Sequence, residues 1–138
     1  MSIRVLIVDD QPLIRAGFTM ILSSQPDIEV VGEASDGAQA VELVERLRAS
    51  GQPVDLVVMD IRMPVLDGVA ATRRLCADPS VAPRVVVLTT FDTDEDAFAS
   101  LQAGASGFLL KNSPPEEVLS AVPPTAVTYW EVAGYSAP

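Results

Sequence analysis

Five short apolar runs, rich in β-branched residues, recur at regular intervals along the chain and limit the folds it can adopt. They are Ile3–Val8, Ile28–Glu33, Val54–Met59, Arg84–Thr89 and Gly107–Leu110. Runs of this kind, continuous rather than alternating with polar residues, are typical of strands buried on both faces of a parallel sheet. We therefore predict five parallel strands, each buried on both faces.

The segments between these runs show helical spacing. The first predicted helix begins at Pro12, a residue suited to a first helical turn. Its expected inner face is Leu13, Ile14, Gly17, Phe18, Ile21 and Leu22. The second helix is capped by Asp36, and its expected inner face is Ala40, Leu43, Val44 and Leu47. Two further helices, Gly68–Cys76 with Asp67 as its cap and Asp94–Ala103, complete an α/β doubly wound fold, a parallel sheet between two layers of helices.

Composition narrows the classes of function. The chain has no histidine and one cysteine, Cys76, which excludes Ser-His-Asp and Cys-His catalysis, imidazole-ligated metals and an intramolecular disulfide. A net charge of −10, with nine scattered basic residues, argues against non-specific binding to nucleic acid. No apolar run approaches the ~20 residues that cross a bilayer, and no secretory signal opens the chain. We expect a cytoplasmic protein that does not contact a membrane.

The strand and helix pattern changes near the C-terminus. A fifth helix is expected to begin at Pro114 and Pro115, and Pro123–Pro124 would stop it after little more than two turns. We accordingly divide the chain into one domain, residues 1–122, and a Pro-rich tail, residues 123–138. The tail holds the chain's tryptophan and both tyrosines, and we interpret it as a loosely ordered terminus or as a docking strip.

Polar side chains follow four of the predicted strands at their carboxyl ends, the edge at which open parallel sheets bind ligands. They are Asp9 and Asp10 after the first strand, Asp60 after the third, Thr89 at the end of the fourth and Lys111 after the fifth. Adjacent carboxylates repel one another unless a cation joins them, and Mg²⁺ prefers a few carboxylates with water and phosphate oxygens. With a hydroxyl and an ammonium added, the set suits transfer of a phosphoryl group to an aspartate nucleophile.

Each of these residues also has a purely structural interpretation. Asp9 and Asp10 could be only a helix cap, Thr89 an ordinary strand residue and Lys111 a solvated charge. Asp60 is harder to explain in that way, because an isolated buried carboxylate is costly. The specific signal is the convergence of all of them at one edge of one sheet.

Five segments of the chain resemble the receiver domain of bacterial response regulators, the phospho-acceptor half of two-component systems. They are VLIVDDQPLIRAGF, EASDGAQAVEL, DLVVMDIRMPVLDGVAATRRL, VVVLTTFD and AGASGFLLKNSPPEEVLSAV. Their details are similar to the NarL/FixJ-type subfamily of transcription regulators. The resemblance covers residues 3–122 and implies a (βα)5 flavodoxin-like fold with strand order 2-1-3-4-5. It also implies a signalling switch that is not an enzyme on free metabolites, since such a domain catalyses only its own phosphorylation and dephosphorylation.

The resemblance implies Mg²⁺ as the cofactor and assigns its ligands. Asp60 would be the phosphorylated aspartate and a direct ligand of Mg²⁺. Asp10 and the backbone carbonyl of Arg62 would also bind the cation directly, and Asp9 would act mainly through a metal-bound water.

The resemblance also implies a switch. Thr89 would donate a hydrogen bond to the phosphoryl group, and Lys111 would form an ion pair with it. Phe108 stands at the position of an aromatic residue that turns inward when the threonine moves, which would remodel the face formed by helix four, strand five and helix five. An ordinary core aromatic is the alternative for Phe108.

Partners follow from the same resemblance. The phosphoryl donor would be a sensor histidine kinase. A homodimer would form through the face of helix four, strand five and helix five, or through helices one and five. DNA would be reached only through an output helix-turn-helix domain. Nothing after residue 122 resembles that domain, so we expect either a part of a longer regulator or a stand-alone receiver.

Two other functions fit parts of the pattern. A phosphatase of the haloacid-dehalogenase type also uses an aspartate nucleophile with Mg²⁺, but it places a second acid two residues later, where this chain has Arg62. A receiver-like assembly module without phosphorylation would not require the acids, threonine and lysine that are all present here. Nucleotide binding is not expected, because no Gly-rich phosphate loop follows a strand.

Overall fold

The computed structural model describes residues 2–61, 63, 65–89 and 94–110, which form alternating strands and helices. In chain order these are β1 (Ile3–Val8), α1 (Pro12–Ser23), β2 (Ile28–Ala34), α2 (Gly37–Ala49), β3 (Leu56–Asp60), α3 (Gly68–Leu75), β4 (Arg84–Thr89), α4 (Asp94–Gln102) and β5 (Gly107–Leu110). The predicted fifth helix and the tail lie outside the described residues. Within the described ranges, no helix is long and apolar enough to cross a membrane.

The five strands form one parallel sheet in the order β2-β1-β3-β4-β5, which confirms the predicted α/β doubly wound fold. Strand order reverses between β1 and β3, because the chain first moves outward to β2 and then returns to the other side of β1. A reversal of this kind opens a crevice at the carboxyl ends of the two strands. The sheet therefore places its ligand-binding edge after β1 and β3.

The sheet separates two apolar cores. The core on the α1 face consists of Val5, Ile7, Leu22, Leu56, Val58, Val86 and Leu88. The core on the other face combines the alternate residues of the same strands with α2 and α3, and includes Leu6, Val8, Ala40, Val44, Val57, Met59, Ala71, Leu75, Val85 and Val87. Residues of β1, β3 and β4 contribute to both cores, which explains why these three strands have continuous apolar sequences.

The expectation that all five strands are buried on both faces is wrong for β2. This strand lies at an edge of the sheet, and Glu29 and Glu33 are exposed while most of its apolar residues are only partly buried. Both glutamates form ion pairs with neighbouring elements: Glu29 pairs with Arg4 of β1, and Glu33 pairs with Arg15 of α1. Because β2 has a neighbouring strand on one side only, its residues are less buried than those of the central strands, and charged residues occur between its apolar ones.

The expected inner face of α1 is too wide. Leu22 is buried and Ile14, Phe18 and Ile21 are partly buried, but Leu13 is 85% exposed. Gly17 is exposed as well. One helix resting on a sheet buries a stripe centred on Phe18 and Leu22, and positions turned about 100° from that stripe reach solvent.

The other helices begin and end close to where the sequence predicts. Asp36 and Asp67 cap α2 and α3, each accepting a backbone N–H bond of 2.8 Å three residues ahead. Ala40 and Val44 of α2 are buried, as predicted. The strand β3 begins two residues later than expected and includes Asp60, because Asp60 pairs with Leu88 in the ladder.

Candidate functional site

Three carboxylates meet at the carboxyl ends of β1 and β3. Each of Asp9, Asp10 and Asp60 offers an oxygen, and these three oxygens lie within 4.8 Å of one another. Asp9 is fully buried and Asp60 is 3% exposed, whereas Asp10 is exposed. The structure therefore brings together the three acids that the sequence predicts, with one side of the cluster open to solvent.

Backbone bonds hold the end of β1. The N–H of Asp9 donates to the carbonyl of Ala34 over 3.1 Å, and its Oδ1 accepts the N–H of Gln11 over 2.8 Å. Gln11 is the N-cap of α1 and makes no side-chain capping bond. The helix-cap interpretation of the acid pair thus holds only in part, because Asp9 supports the N-cap residue but both acids belong to the carboxylate cluster.

Close packing fixes the segment after Asp60. The N–H of Gly68 donates to the carbonyl of Ile61 over 2.7 Å and closes the loop that follows β3. A Cβ at position 68 would overlap the carbonyl oxygen of Asp60 and lie 2.7 Å from the Cα of Ile61. Glycine is therefore required where α3 begins, because α3 starts directly against the backbone of Asp60.

The same loop holds one strained residue. Val65 has φ of 69°, and it is the one non-glycine residue with positive φ in the described ranges. A β-branched side chain disfavours this conformation strongly. The neighbouring Leu66 accepts a bond of 2.9 Å from the N–H of Gly37, which ties the loop to the start of α2. Neither the strain nor this tie was predicted, since a positive φ at valine has no sequence signal.

The remaining predicted site residues are placed only in part. Thr89 ends β4, but its side chain lies outside what the structure describes, as do Arg62 and Lys111 altogether. Register still relates them, because Asp60 pairs with Leu88 and Thr89 pairs with the last residue of β5, directly before Lys111. Phe108 of β5 pairs with Val87 and is partly buried against the core of the α2 and α3 face.

Arg15 lies next to the site, and sequence reasoning did not connect it with the carboxylates. Its Nη1 donates to the carbonyl oxygen of Asp9 over 2.6 Å, and its Nε donates to Oε1 of Glu33 over 3.2 Å. The available signal was a charged residue between Ile14 and Phe18, on the side of α1 that faces the sheet. A mostly buried guanidinium there needs hydrogen-bond acceptors, and the ends of β1 and β2 supply them.

The only thiol of the sequence lies away from this edge and does not act as its nucleophile. Cys76 is the C-cap of α3, and its Sγ lies 3.5 Å from the carbonyl oxygen of Gly104. Burial raises the pKa of the Cys76 thiol, which keeps it protonated at neutral pH.

The donor set of the site fits a hard divalent cation. All three groups are carboxylates, and their oxygens are close enough to share one ion. Mg²⁺ usually takes one or two carboxylates and completes its shell with water and phosphate oxygens, which the exposed side of Asp10 can admit. A soft or borderline metal would instead favour sulfur or imidazole ligands, and the chain contains no histidine.

Comparison with known proteins agrees with this geometry. The chain is 41% identical over 120 residues to the transcriptional regulatory protein LiaR of Bacillus subtilis, covering 87% of this chain and 54% of LiaR. The chain thus spans about half the length of the curated relatives it matches. 

Two solved structures are also similar. One is the signal receiver domain of the putative response regulator NarL from Mycobacterium tuberculosis, with 37% identity, a TM-score of 0.75, and coverage of 87% of this chain and 92% of that one. The other is the CheX–CheY–BeF3–Mg+2 complex from Borrelia burgdorferi, with 28% identity, a TM-score of 0.74, and coverage of 84% and 83%. The family model of the response regulator receiver domain matches residues 5–123. The chain belongs to the response regulator receiver domain family.

Proposed function

We propose that this chain is a phosphorylation-controlled signalling switch, which accepts a phosphoryl group from a sensor histidine kinase onto Asp60. The observation that carries the proposal is the cluster of Asp9, Asp10 and Asp60, whose oxygens lie within 4.8 Å of one another at the reversal of strand order. Its membership in the receiver family and the similar complex that contains BeF3 and Mg²⁺ support the same interpretation.

Asp60 is the best acceptor of the three acids because of its place in the sheet. β3 lies between β1 and β4, so Asp60 has the acid pair on one side and Thr89 on the other. Asp9 is fully buried, with Oδ1 bonded to the N–H of Gln11, and Asp10 lies at the solvent side. A phosphoryl group on Asp60 would thus be flanked by groups from both neighbouring strands.

The transfer step is a displacement at phosphorus. A carboxylate oxygen of Asp60 attacks the phosphorus of a phosphohistidine, an O–P bond forms, and the P–N bond breaks. The electron pair stays on the imidazole nitrogen of the donor, which then takes up a proton. Asp9, Asp10, Asp60 and the carbonyl of Arg62 would hold Mg²⁺, and the bound cation would offset the negative charge that gathers on the phosphoryl oxygens.

The other predicted residues would respond to the phosphoryl group. We assign Thr89 to hydrogen bonding with one of its oxygens and Lys111 to ion pairing with it. Phe108 would act as the aromatic switch, since it is partly buried on the strand next to β4. Phosphate contacts would favour the active arrangement over an inactive one that differs from it by a few kcal/mol.

The output of the switch is proposed to be regulation of transcription. The relative LiaR is described as a transcriptional regulatory protein and is about twice as long as the matched region. By this interpretation the receiver would control an output helix-turn-helix domain, and a homodimer would form through α4, β5 and a fifth helix, or through α1 and that helix. The cytoplasmic location and the division at residue 122 stay predictions.

Mass spectrometry of the intact protein tests the proposal. Incubation with acetyl phosphate and Mg²⁺ should add one phosphoryl group to the wild type, and none after Asp60→Asn or in EDTA. Asp27→Asn is the matched control, because Asp27 is an exposed aspartate just before β2, at the opposite end of the sheet, and this variant should be phosphorylated normally. No uptake by a folded wild type, from acetyl phosphate or from a panel of phosphorylated kinases, would favour the assembly module. Steady release of phosphate from many small phosphomonoesters would favour the phosphatase.

A further inference from the structure

Arg15 joins three elements next to the carboxylate cluster. From the first turns of α1 it donates through Nη1 to the carbonyl oxygen of Asp9 over 2.6 Å, and through Nε to Oε1 of Glu33 over 3.2 Å. The other oxygen of Glu33 accepts the hydroxyl of Thr19 over 3.3 Å. The Arg15 side chain is only 17% exposed and its bond to the Asp9 carbonyl is partly buried, so the guanidinium has a defined position, although its partner Glu33 is 41% exposed.

The carbonyl that Arg15 binds belongs to the peptide that links Asp9 to Asp10. The N–H of Asp9 is already bonded to Ala34, and the bond from Arg15 to the Asp9 carbonyl fixes the next peptide as well. A peptide is planar, so fixing its oxygen also fixes the direction in which Asp10 leaves the strand. Because Asp10 is exposed, packing around its own side chain does little to orient it.

We propose that Arg15 is a positioning residue for the metal-binding carboxylates. It would hold the peptide between Asp9 and Asp10 so that both side chains point at one cation, without contacting the cation or the phosphoryl group. This inference rests on the proposed function, which places Mg²⁺ at that cluster.

The positioning role and a simple charge effect predict opposite results. A guanidinium beside three carboxylates lowers the local negative potential, so its charge alone weakens binding of a cation. Removing only that charge would strengthen Mg²⁺ binding. Removing the bond that orients Asp10 would weaken it, because the carboxylates then have to be ordered when the cation binds.

The chain offers a matched control at the other end of the same strand. Arg4, near the start of β1, also bonds a glutamate of β2, with 3.4 Å from Nη1 to Oε1 of Glu29. It also donates to backbone carbonyls, over 3.1 Å to Pro53 and 3.3 Å to Gln52. Arg4→Met therefore removes the same kinds of contact as Arg15→Met, but away from the carboxylates.

Calorimetric titration with Mg²⁺ alone, without phosphodonor, measures the effect. Arg15→Met should raise the Mg²⁺ dissociation constant about tenfold, whereas Arg4→Met should leave it unchanged. Arg15→Lys should lie between Arg15→Met and the wild type, because an ammonium keeps the charge but cannot bond both acceptors at once. If Arg15→Met binds Mg²⁺ as tightly as the wild type, or more tightly, the inference is wrong.

Two measurements separate this inference from its premise and from misfolding. If the wild type does not bind Mg²⁺, the proposed metal site and the role of Arg15 are both wrong, whereas wild-type binding with no change in Arg15→Met refutes the role of Arg15 alone. If Arg15→Met does not fold, Arg15→Gln replaces it, because glutamine also removes the charge and the paired bonds to Asp9 and Glu33 but keeps a polar side chain at this position. We expect weaker Mg²⁺ binding from this variant too, and an unchanged dissociation constant would refute the inference.

Discussion

The backbone conformation of Val65 destabilises the folded state, and replacing this residue with glycine should raise the free energy of unfolding. Its φ of 69° is a left-handed conformation, which costs a non-glycine residue roughly 1–3 kcal/mol, with β-branched residues near the upper end. Glycine adopts this conformation without a steric penalty. Because Val65 is 83% exposed, the side chain contributes little apolar burial to the folded state.

The expected size of the effect follows from three contributions. Relief of strain adds about 2 kcal/mol to the free energy of unfolding. Loss of the small buried fraction of the side chain subtracts less than about 0.5 kcal/mol, and the greater freedom of glycine in the unfolded chain subtracts about 0.5–1 kcal/mol. Val65→Gly should therefore raise the free energy of unfolding by about 0.5–1.5 kcal/mol, which moves the urea midpoint up by roughly 0.5 M.

Val81→Gly is the matched control, because Val81 is also an exposed valine in a connecting segment but does not have a positive φ. It should lower the free energy of unfolding by about 1 kcal/mol, because the variant buries less apolar surface and glycine gives the unfolded chain more conformational entropy, with no strain to relieve. Val65→Asn should stabilise as well, because asparagine tolerates the left-handed region. Urea unfolding followed by circular dichroism in EDTA compares the three, and equal destabilisation by both glycine variants would refute the argument from strain.

Three more predictions concern packing, capping and the thiol. Gly68→Ala should destabilise by about 1–3 kcal/mol and reduce phosphoryl uptake, because its Cβ overlaps the Asp60 carbonyl, whereas Gly17→Ala, with open space around it, should stabilise by about 0.5–1 kcal/mol. Urea unfolding and intact mass measure both, and a neutral Gly68→Ala would contradict the packing. Asp36→Ala should cost about 1 kcal/mol through loss of the α2 cap, and thermal unfolding that matches the wild type would refute that role. Cys76 should react with a disulfide reagent more slowly in the folded chain than in urea at pH 8, because burial raises its pKa above 9.0. The stability gained by keeping this thiol protonated is complete below pH 9.0 and declines as the pH rises further, and equal rates in both states would contradict the burial.

The fold could be predicted because the central strands are buried on both faces and so have continuous apolar sequences. The same logic failed at β2, where an edge position leaves Glu29 and Glu33 exposed. It also failed for Leu13 of α1, because helical periodicity gives the direction of an apolar face but not its width.

The part of the candidate site that the strand arrangement positions could be predicted from the sequence. Asp9, Asp10 and Asp60 lie at the carboxyl ends of strands that any parallel arrangement aligns at one edge, and the adjacency of β1 and β3 then brings them together. The bond from Arg15 to the Asp9 carbonyl and its ion pair with Glu33 depend on how far α1 is rotated about its axis, which the sequence does not specify. The strain at Val65 depends on the exact path of a loop, and no local pattern of residues predicts it.

Asp60 is part of the β3 ladder, and this has a consequence for how the protein can evolve or be engineered. Its backbone pairs with Leu88, and the N–H of Ile61 also bonds the Leu88 carbonyl over 3.3 Å, so the proposed acceptor is anchored in the centre of the sheet. Breaking such a ladder costs a large share of the roughly 5–15 kcal/mol that holds a domain folded, whereas rearranging a surface segment costs only a few. Folding stability thus depends mainly on the ladder and the two cores, whereas the proposed balance between two signalling states depends on the segments beyond the strand ends and on Phe108. Core substitutions away from Phe108 can make the domain more stable without changing the proposed sensitivity, and substitutions in the segments beyond the strand ends should adjust that sensitivity without unfolding the domain.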